Sequence, residues 1–173
     1  MSYTGNAVSR KVHGAAGPID LPLNAQPING NIVIEPRGIG AGHTIAFAFS
    51  GTVYAVGSVS VVDATGAPVG NASATFVGNE ALVTLNGIAE VQRVTVTVNG
   101  VNGVAIAAVS LGFLAGDTGG TGTVSAADIA STKARRGQPV PASDNFRFDL
   151  DASGAIDEAD VVLAKARSGA RLP

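Results

Sequence analysis

Between residues 30 and 114, short runs rich in Val, Ile, Thr and Phe recur, separated by Gly, Asn, Ala and Ser. The clearest are Asn31 to Glu35, Thr44 to Phe49, Val59 to Val62, Ala74 to Val77, Ala81 to Leu85, Val91 to Val98 and Val104 to Leu114. Val94, Val96 and Val98 alternate with Thr95 and Thr97, the period-two pattern of a strand with one buried face. Asn-Gly dipeptides at 29–30, 86–87, 99–100 and 102–103 offer the positive backbone dihedrals of tight hairpin turns. About seven strands in this span predict an Ig-like or jelly-roll β-sandwich. Ala7 to Leu23 predicts one or two further edge strands. Beyond Gly116 the pattern changes to loops followed by short helical segments, so the fold expected is mainly β with a small α domain.

Charge sharpens this division. Only 14% of the 173 residues are charged, against about 25% in ordinary globular chains. Up to Ala115 there are four basic residues (Arg10, Lys11, Arg37, Arg93) and five acidic ones (Asp20, Glu35, Asp63, Glu80, Glu90); the remaining seven basic and eight acidic residues crowd into the last 58 positions. Two units are therefore expected, a β-sandwich over 1–115 and a second domain over 116–173. A net charge of −2 argues against a nucleic-acid partner. Cysteine is absent, which excludes disulfides and thiolate chemistry. The uncharged run from Val94 to Gly116 is long enough to raise a membrane span, but Asn99-Gly100 and Asn102-Gly103 would place turn residues in hydrocarbon, and no span is expected. The amino terminus lacks the basic and apolar regions of a secretory signal, which fits either a mature secreted chain with an added Met or a cytoplasmic one.

The first region offers little chemistry. His13 and His43 stand in no metal or triad spacing and read as surface or packed histidines. Gly38-Ile39-Gly40-Ala41-Gly42 lacks the Lys-Ser/Thr ending of a phosphate loop and reads as a flexible loop. Arg10-Lys11 reads as a solvated pair, and Asn71-Ala72-Ser73 matches the short N-glycosylation sequon. The acids show no opposed pair of the kind glycosidase chemistry needs, so no enzyme is expected. With no Trp and only Tyr3 and Tyr54, the aromatic platform of a carbohydrate-binding module is scarce.

The last 58 residues match themselves at an offset of 32: Asp117 falls on Asp149, Gly122 on Gly154, Val124 on Ile156, Asp128 on Asp160, Lys133 on Lys165, Arg135 on Arg167 and Gly137 on Gly169. This is an internal repeat. In the second copy, Asp149, Asp151, Ser153, Asp157 and Asp160 place oxygens at loop positions 1, 3, 5, 9 and 12, with Gly154 at the sharp turn and the Ala155 carbonyl at position 7. Ca²⁺ takes six to eight oxygens, and this spacing wraps them around one point. Helix capping alone would explain Asp157 and Asp160 but not Asp149 and Asp151. The first copy, with Asp117, Gly119, Thr121, Thr123 and Asp128, lacks the position-3 carboxylate and should bind weakly or through water. Ile156 and Val124 are expected to pair inward, and the second helix to stop at Gly169.

Gly116-Asp117 with Gly122-Thr123-Val124 and Asp128, and Phe148-Asp149-x-Asp151 with Gly154-Ala155-Ile156-Asp157 and Asp160, are each followed by a Lys five residues on and a Gly four after that. This segment, about 114 to 170, resembles the type I dockerin. The resemblance implies two Ca²⁺ sites, a dockerin-like pair of calcium loop-helix motifs, a cohesin-like β-sandwich as partner and a secreted or cell-surface location. The positions that carry a hydroxyl pair in the family hold Ala126-Ala127 and Glu158-Ala159. The preceding region, with Val8-Ser9-Arg10-Lys11 and His13-Gly14-Ala15-Ala16-Gly17, looks like the β-sandwich before such tails in some secreted bacterial proteins. The function expected is a non-catalytic, calcium-stabilised assembly module whose partner is a cohesin-like protein or another copy of the chain, joined head to tail into a filament. A carbohydrate-binding or cohesin-docking accessory module is the alternative.

Overall fold

A computed structural model describes residues 1–23, 32–38, 40 and 42–173. Among these, nine strands form two sheets: β1 (Tyr3–Val12), β2 (Pro18–Pro22), β3 (Val33–Glu35), β4 (His43–Phe49), β5 (Ser58–Asp63), β6 (Asn71–Val77), β7 (Glu80–Asn86), β8 (Val91–Val101) and β9 (Ala105–Leu114). One sheet runs β2-β1-β4-β7-β6 and the other β3-β9-β8-β5. All pairings are antiparallel except β3 with β9.

The alternation in β8 does what its period demands. Val94, Val96 and Val98 are buried opposite Leu111, Val109 and Ala107 of β9, while Thr95 and Thr97 face outward. These residues meet Ala7, Ile45, Phe47, Phe49, Ala81, Val83 and Leu85 of the other sheet in one core. Each fully buried aliphatic or aromatic side chain contributes about 1.5–3 kcal/mol relative to exposure.

Several local expectations shift. Residues 7–23 supply one edge strand, β2, but β1 lies inside its sheet between β2 and β4. Asn99-Gly100 is a bulge within β8, where the register with β9 slips between Val98 and Val101; the hairpin turn is Asn102-Gly103, both with positive φ (51° and 86°). The turn expected at 29–30 and the Asn31 end of the first strand lie outside the described residues.

The expectation of an Ig-like or jelly-roll sandwich followed by a dockerin-like helix pair is corrected by the structure. The chain is β-rich, with two short helices of nine residues each, α1 (Ala126–Ala134) and α2 (Glu158–Ala166), and no dockerin-like helix pair. The physical reason lies in where the apolar groups go. The side chains that α1 buries, Asp128 and Thr132, are both polar. Val140, Phe146, Phe148 and Ile156 instead join the core between the sheets. Val124 and Leu172 form a second cluster with Ile34 and Leu114. Val124 and Ile156, expected to pair, are thus buried in different clusters. Leu172 lies so close over β9 that a side chain at Gly112 would collide with it.

Candidate metal centre

The second loop begins where a 3-10 turn, Asn145–Phe148, buries Phe146 and Phe148 and delivers Asp149 to the interior. Asp149 accepts from the amides of Ser153 (3.0 Å) and Gly154 (2.9 Å), and Gly154 has a φ of 92°. Asp160 reaches back from the first turn of α2 and accepts from the amides of Leu150 (2.6 Å) and Asp157 (2.8 Å). Asp151 projects from the loop toward solvent. One carboxylate oxygen of each of Asp149, Asp151 and Asp160 lies within 4.8 Å of the others, a group able to hold a metal ion. Asp157 points elsewhere: its carboxylate caps α2 by accepting from the Ala159 amide at 2.7 Å. The Ser153 hydroxyl donates to the Ala155 carbonyl at 3.2 Å and lies 3.5 Å from Asp149 Oδ1.

Electrostatics sets these carboxylates apart. Burial, with Asp151 adding like charge, pushes Asp160 up to about 6 despite the amides it accepts from. Burial also acts to raise Asp149, but donation from His13 and Gly154 outweighs it and holds the group below the usual carboxylate range. Two buried acids and a third nearby are mutually repulsive when ionised, and a bound cation would relieve that repulsion.

The first loop repeats most of this scaffold, with the Gly119 amide on Asp128 matching that of Asp151 on Asp160 (3.3 Å). Asp117 accepts from the amides of Thr121 (3.0 Å) and Gly122 (2.6 Å), and Asp128 from those of Gly119 (2.9 Å) and Ser125 (2.8 Å). Thr121 Oγ1 donates to the Thr123 carbonyl at 3.1 Å, as Ser153 does to Ala155. What differs is position 3, where Gly119 carries no carboxylate, and the neighbouring charge: Arg147 donates from Nε to the Thr118 carbonyl at 3.2 Å. This loop places two carboxylates and a guanidinium where the second places three carboxylates.

His13, read from sequence as an ordinary packed or surface residue, is fully buried and bonded to the first residue of the second loop, Nδ1 to Asp149 Oδ2 at 2.7 Å. Its Nε2 lies 3.0 Å from Arg37 Nη1. Arginine only donates, so Nε2 accepts, and the imidazole is the neutral tautomer whose Nδ1–H donates to Asp149. Arg37 grips Glu35 with Nε and Nη2, both at 2.7 Å, and donates to the Ser9 and Ile19 carbonyls. Ser9 Oγ donates to Glu35 Oε2 at 2.5 Å. Burial acts to raise Glu35, yet Arg37, His43 and Ser9 together hold it at about 2. A continuous buried chain, Ser9–Glu35–Arg37–His13–Asp149, thus ties the strands to the acidic loop. Backbone contacts reinforce it: the Gly38 amide donates to the Leu150 carbonyl at 2.7 Å, and Gly14 passes directly over Ser153. No sequence signal marks His13 or Arg37, because their partners lie 136 and 24 positions away from His13.

The remaining candidates resolve into structural roles. The described part of the glycine loop cups an ammonium group: Lys11 Nζ donates to the Gly38 (2.6 Å) and Gly42 (3.1 Å) carbonyls, and burial lowers its pKa to about 8. Arg10 is ion-paired with Asp20 and Glu80, both at 2.8 Å. The sequon begins β6, at an exposed Asn71. A cleft of about 190 Å³ lined by Ile32, Ala64, Arg93, Val94, Thr95 and Ser110 has no carboxylate or aromatic side chain in its wall.

His43 is buried beside Phe113, and neither ring nitrogen has a hydrogen-bond partner. Burial lowers its pKa to about 4, against the opposing pull of Glu35 at 3.8 Å. The unfolded chain takes up this proton near pH 6.5 and the folded chain near 4, so the contribution is complete above 6.5 and lost as pH falls through 4. The size is about 3 kcal/mol. Urea unfolding from pH 7 to 4 should show wild type losing that much more stability than His43→Leu; parallel pH profiles would contradict the assignment.

Fold and site together define a β-rich, two-sheet protein whose acidic loop is able to hold a metal ion. No family model matches the chain, and no curated protein matches it either. Among the described residues, no helix is long and apolar enough to cross a membrane.

Proposed function

We propose that the protein is a non-catalytic, extracellular assembly module in which one Ca²⁺ ion, held by the second loop, fixes the C-terminal segment against the sheets. The observation that carries this reading is the convergence of Asp149, Asp151 and Asp160 within 4.8 Å, two of them fully buried. Asp149, Asp151 and Asp160 would supply carboxylate oxygens, and the Ser153 hydroxyl and Ala155 carbonyl would complete an all-oxygen set suited to a hard cation. Asp157 is left to its capping role. The ion would neutralise charge that burial makes costly, and so order the surface that a protein partner meets.

Because the ion binds only the folded loop, calcium at about 100 times its Kd should raise stability by about 2.7 kcal/mol. Thermal and urea unfolding in calcium and in EGTA test this. Asp151→Asn, at an exposed position, should leave the fold intact in EGTA and abolish most of the calcium effect. Equal stability of wild type with and without calcium would overturn the reading.

A further inference from the structure

Each sheet has two edges, and three of the four are protected. β2 begins and ends in proline, and β3 is three residues long. The edge of β5 is covered by the chain that follows it, through Asp63 N to Ala67 O (2.9 Å) and Val69 N to Val61 O (3.1 Å). Proline, brevity and coverage are the usual means of preventing edge-to-edge pairing. β6 has none of them. Asn71 to Val77 contains no charge and no proline, pairs with β7 in unbroken register, and has no backbone partner on its other side among the described residues.

The two-residue turn Gly78-Asn79 makes Val77 and Glu80 the closing hydrogen-bonded pair of the hairpin. Ala72, Ala74 and Phe76 therefore direct their amides and carbonyls away from β7. Their side chains share the side of the buried Leu85, Val83 and Ala81, yet Phe76 is 46% exposed, so the core does not reach across to this strand. An open row of backbone groups calls for an extended strand as occupant. The β6 sequence is itself complementary under a two-fold axis through Ala74. That axis sets Ala74 against Ala74, the small Ala72 against the large Phe76, and Ser73 against Thr75. It also brings together the residues whose backbone groups point outward, so each of these pairs exchanges two hydrogen bonds.

We propose that two copies of the chain associate through β6, antiparallel about Ala74, joining their five-stranded sheets into one continuous sheet. The contact is isologous and closes as a dimer. It does not depend on the metal, and the test is run in both calcium and EGTA, so failure of the cation reading leaves it standing.

Ser73 and Thr75 are exposed on the solvent side, where substitution leaves the core untouched. Sedimentation velocity of the full chain should show a dimer. Ser73→Lys/Thr75→Lys sets like charges opposite each other twice and should weaken the dimer at least about tenfold. Ser73→Lys/Thr75→Glu sets opposite charges together twice and should restore it. In unmodified protein, the amides of residues 72, 74 and 76 should gain protection from hydrogen exchange as concentration rises. A monomer up to about 1 mM, a dimer indifferent to the paired substitutions, or exchange at these amides that ignores concentration would overturn the proposal.

Discussion

Replacing Arg37 by methionine should destabilise the protein by about 3–5 kcal/mol, because it strands a buried carboxylate without its partner. Glu35 and Arg37 are both inaccessible to solvent, and the guanidinium supplies two of the hydrogen bonds that keep Glu35 ionised. Methionine keeps an apolar stem as far as the Nε position but not the guanidinium, whose carbon sits 5.4 Å from the centre of the Phe146 ring. The loss therefore combines the stranded charge with the smaller cost of the space the guanidinium filled. The His13 Nε2 and the Ser9 and Ile19 carbonyls lose their donor as well. Adding Glu35→Gln to Arg37→Met removes the stranded charge and should recover part of the loss, a non-additivity that a double-mutant cycle in urea reads directly. A single-variant cost below about 1 kcal/mol would fall in the range of exposed pairs and contradict the buried-chain account.

Gly14→Ala should separate the acidic loop from the sheets. Gly14 has a φ of +46°, and a Cβ there would overlap the Ser153 carbonyl, a backbone atom that cannot swing aside. The turn or the loop must move, and either movement pulls His13 from Asp149. The left-handed conformation alone costs a non-glycine residue about 1–2 kcal/mol. Gly17→Ala provides the control, since Gly17 also has positive φ (+78°) but nothing lies within 4 Å of its Cβ position. Gly14→Ala should lose distinctly more stability than Gly17→Ala and should lower calcium affinity at least about tenfold, a change of about 1.4 kcal/mol. Equal effects from both alanines would mean that the close approach over Ser153 carries no weight.

How much of this was legible in the sequence follows from the range of each interaction. Period-two alternation in Val94 to Val98 and the Asn-Gly pair at 102–103 are local signals, and both act locally in the structure. The repeat is equally legible, and the two loops share four amide-to-carboxylate bonds at matching positions. Packing between elements lies one level higher and is not local. A loop followed by a helical segment does not specify what that helix packs against, and Phe146, Phe148 and Ile156 settle that by entering the core between the sheets. Spacing alone places Asp157 among the ligands, while its carboxylate caps α2. His13, Glu35 and Arg37 become a single network only after β1 and β3 are folded into place, and nothing in their spacing foretells it. The even charge deficit of the first region likewise conceals that two of its nine charges, Glu35 and Arg37, are fully buried.

The second loop is the centre of the account, and isothermal titration of the full chain with calcium addresses it most directly. One ion should bind per chain, with binding abolished by Asp151→Asn and weakened by Gly14→Ala. No binding in the wild-type protein, or binding unchanged by Asp151→Asn, would contradict it.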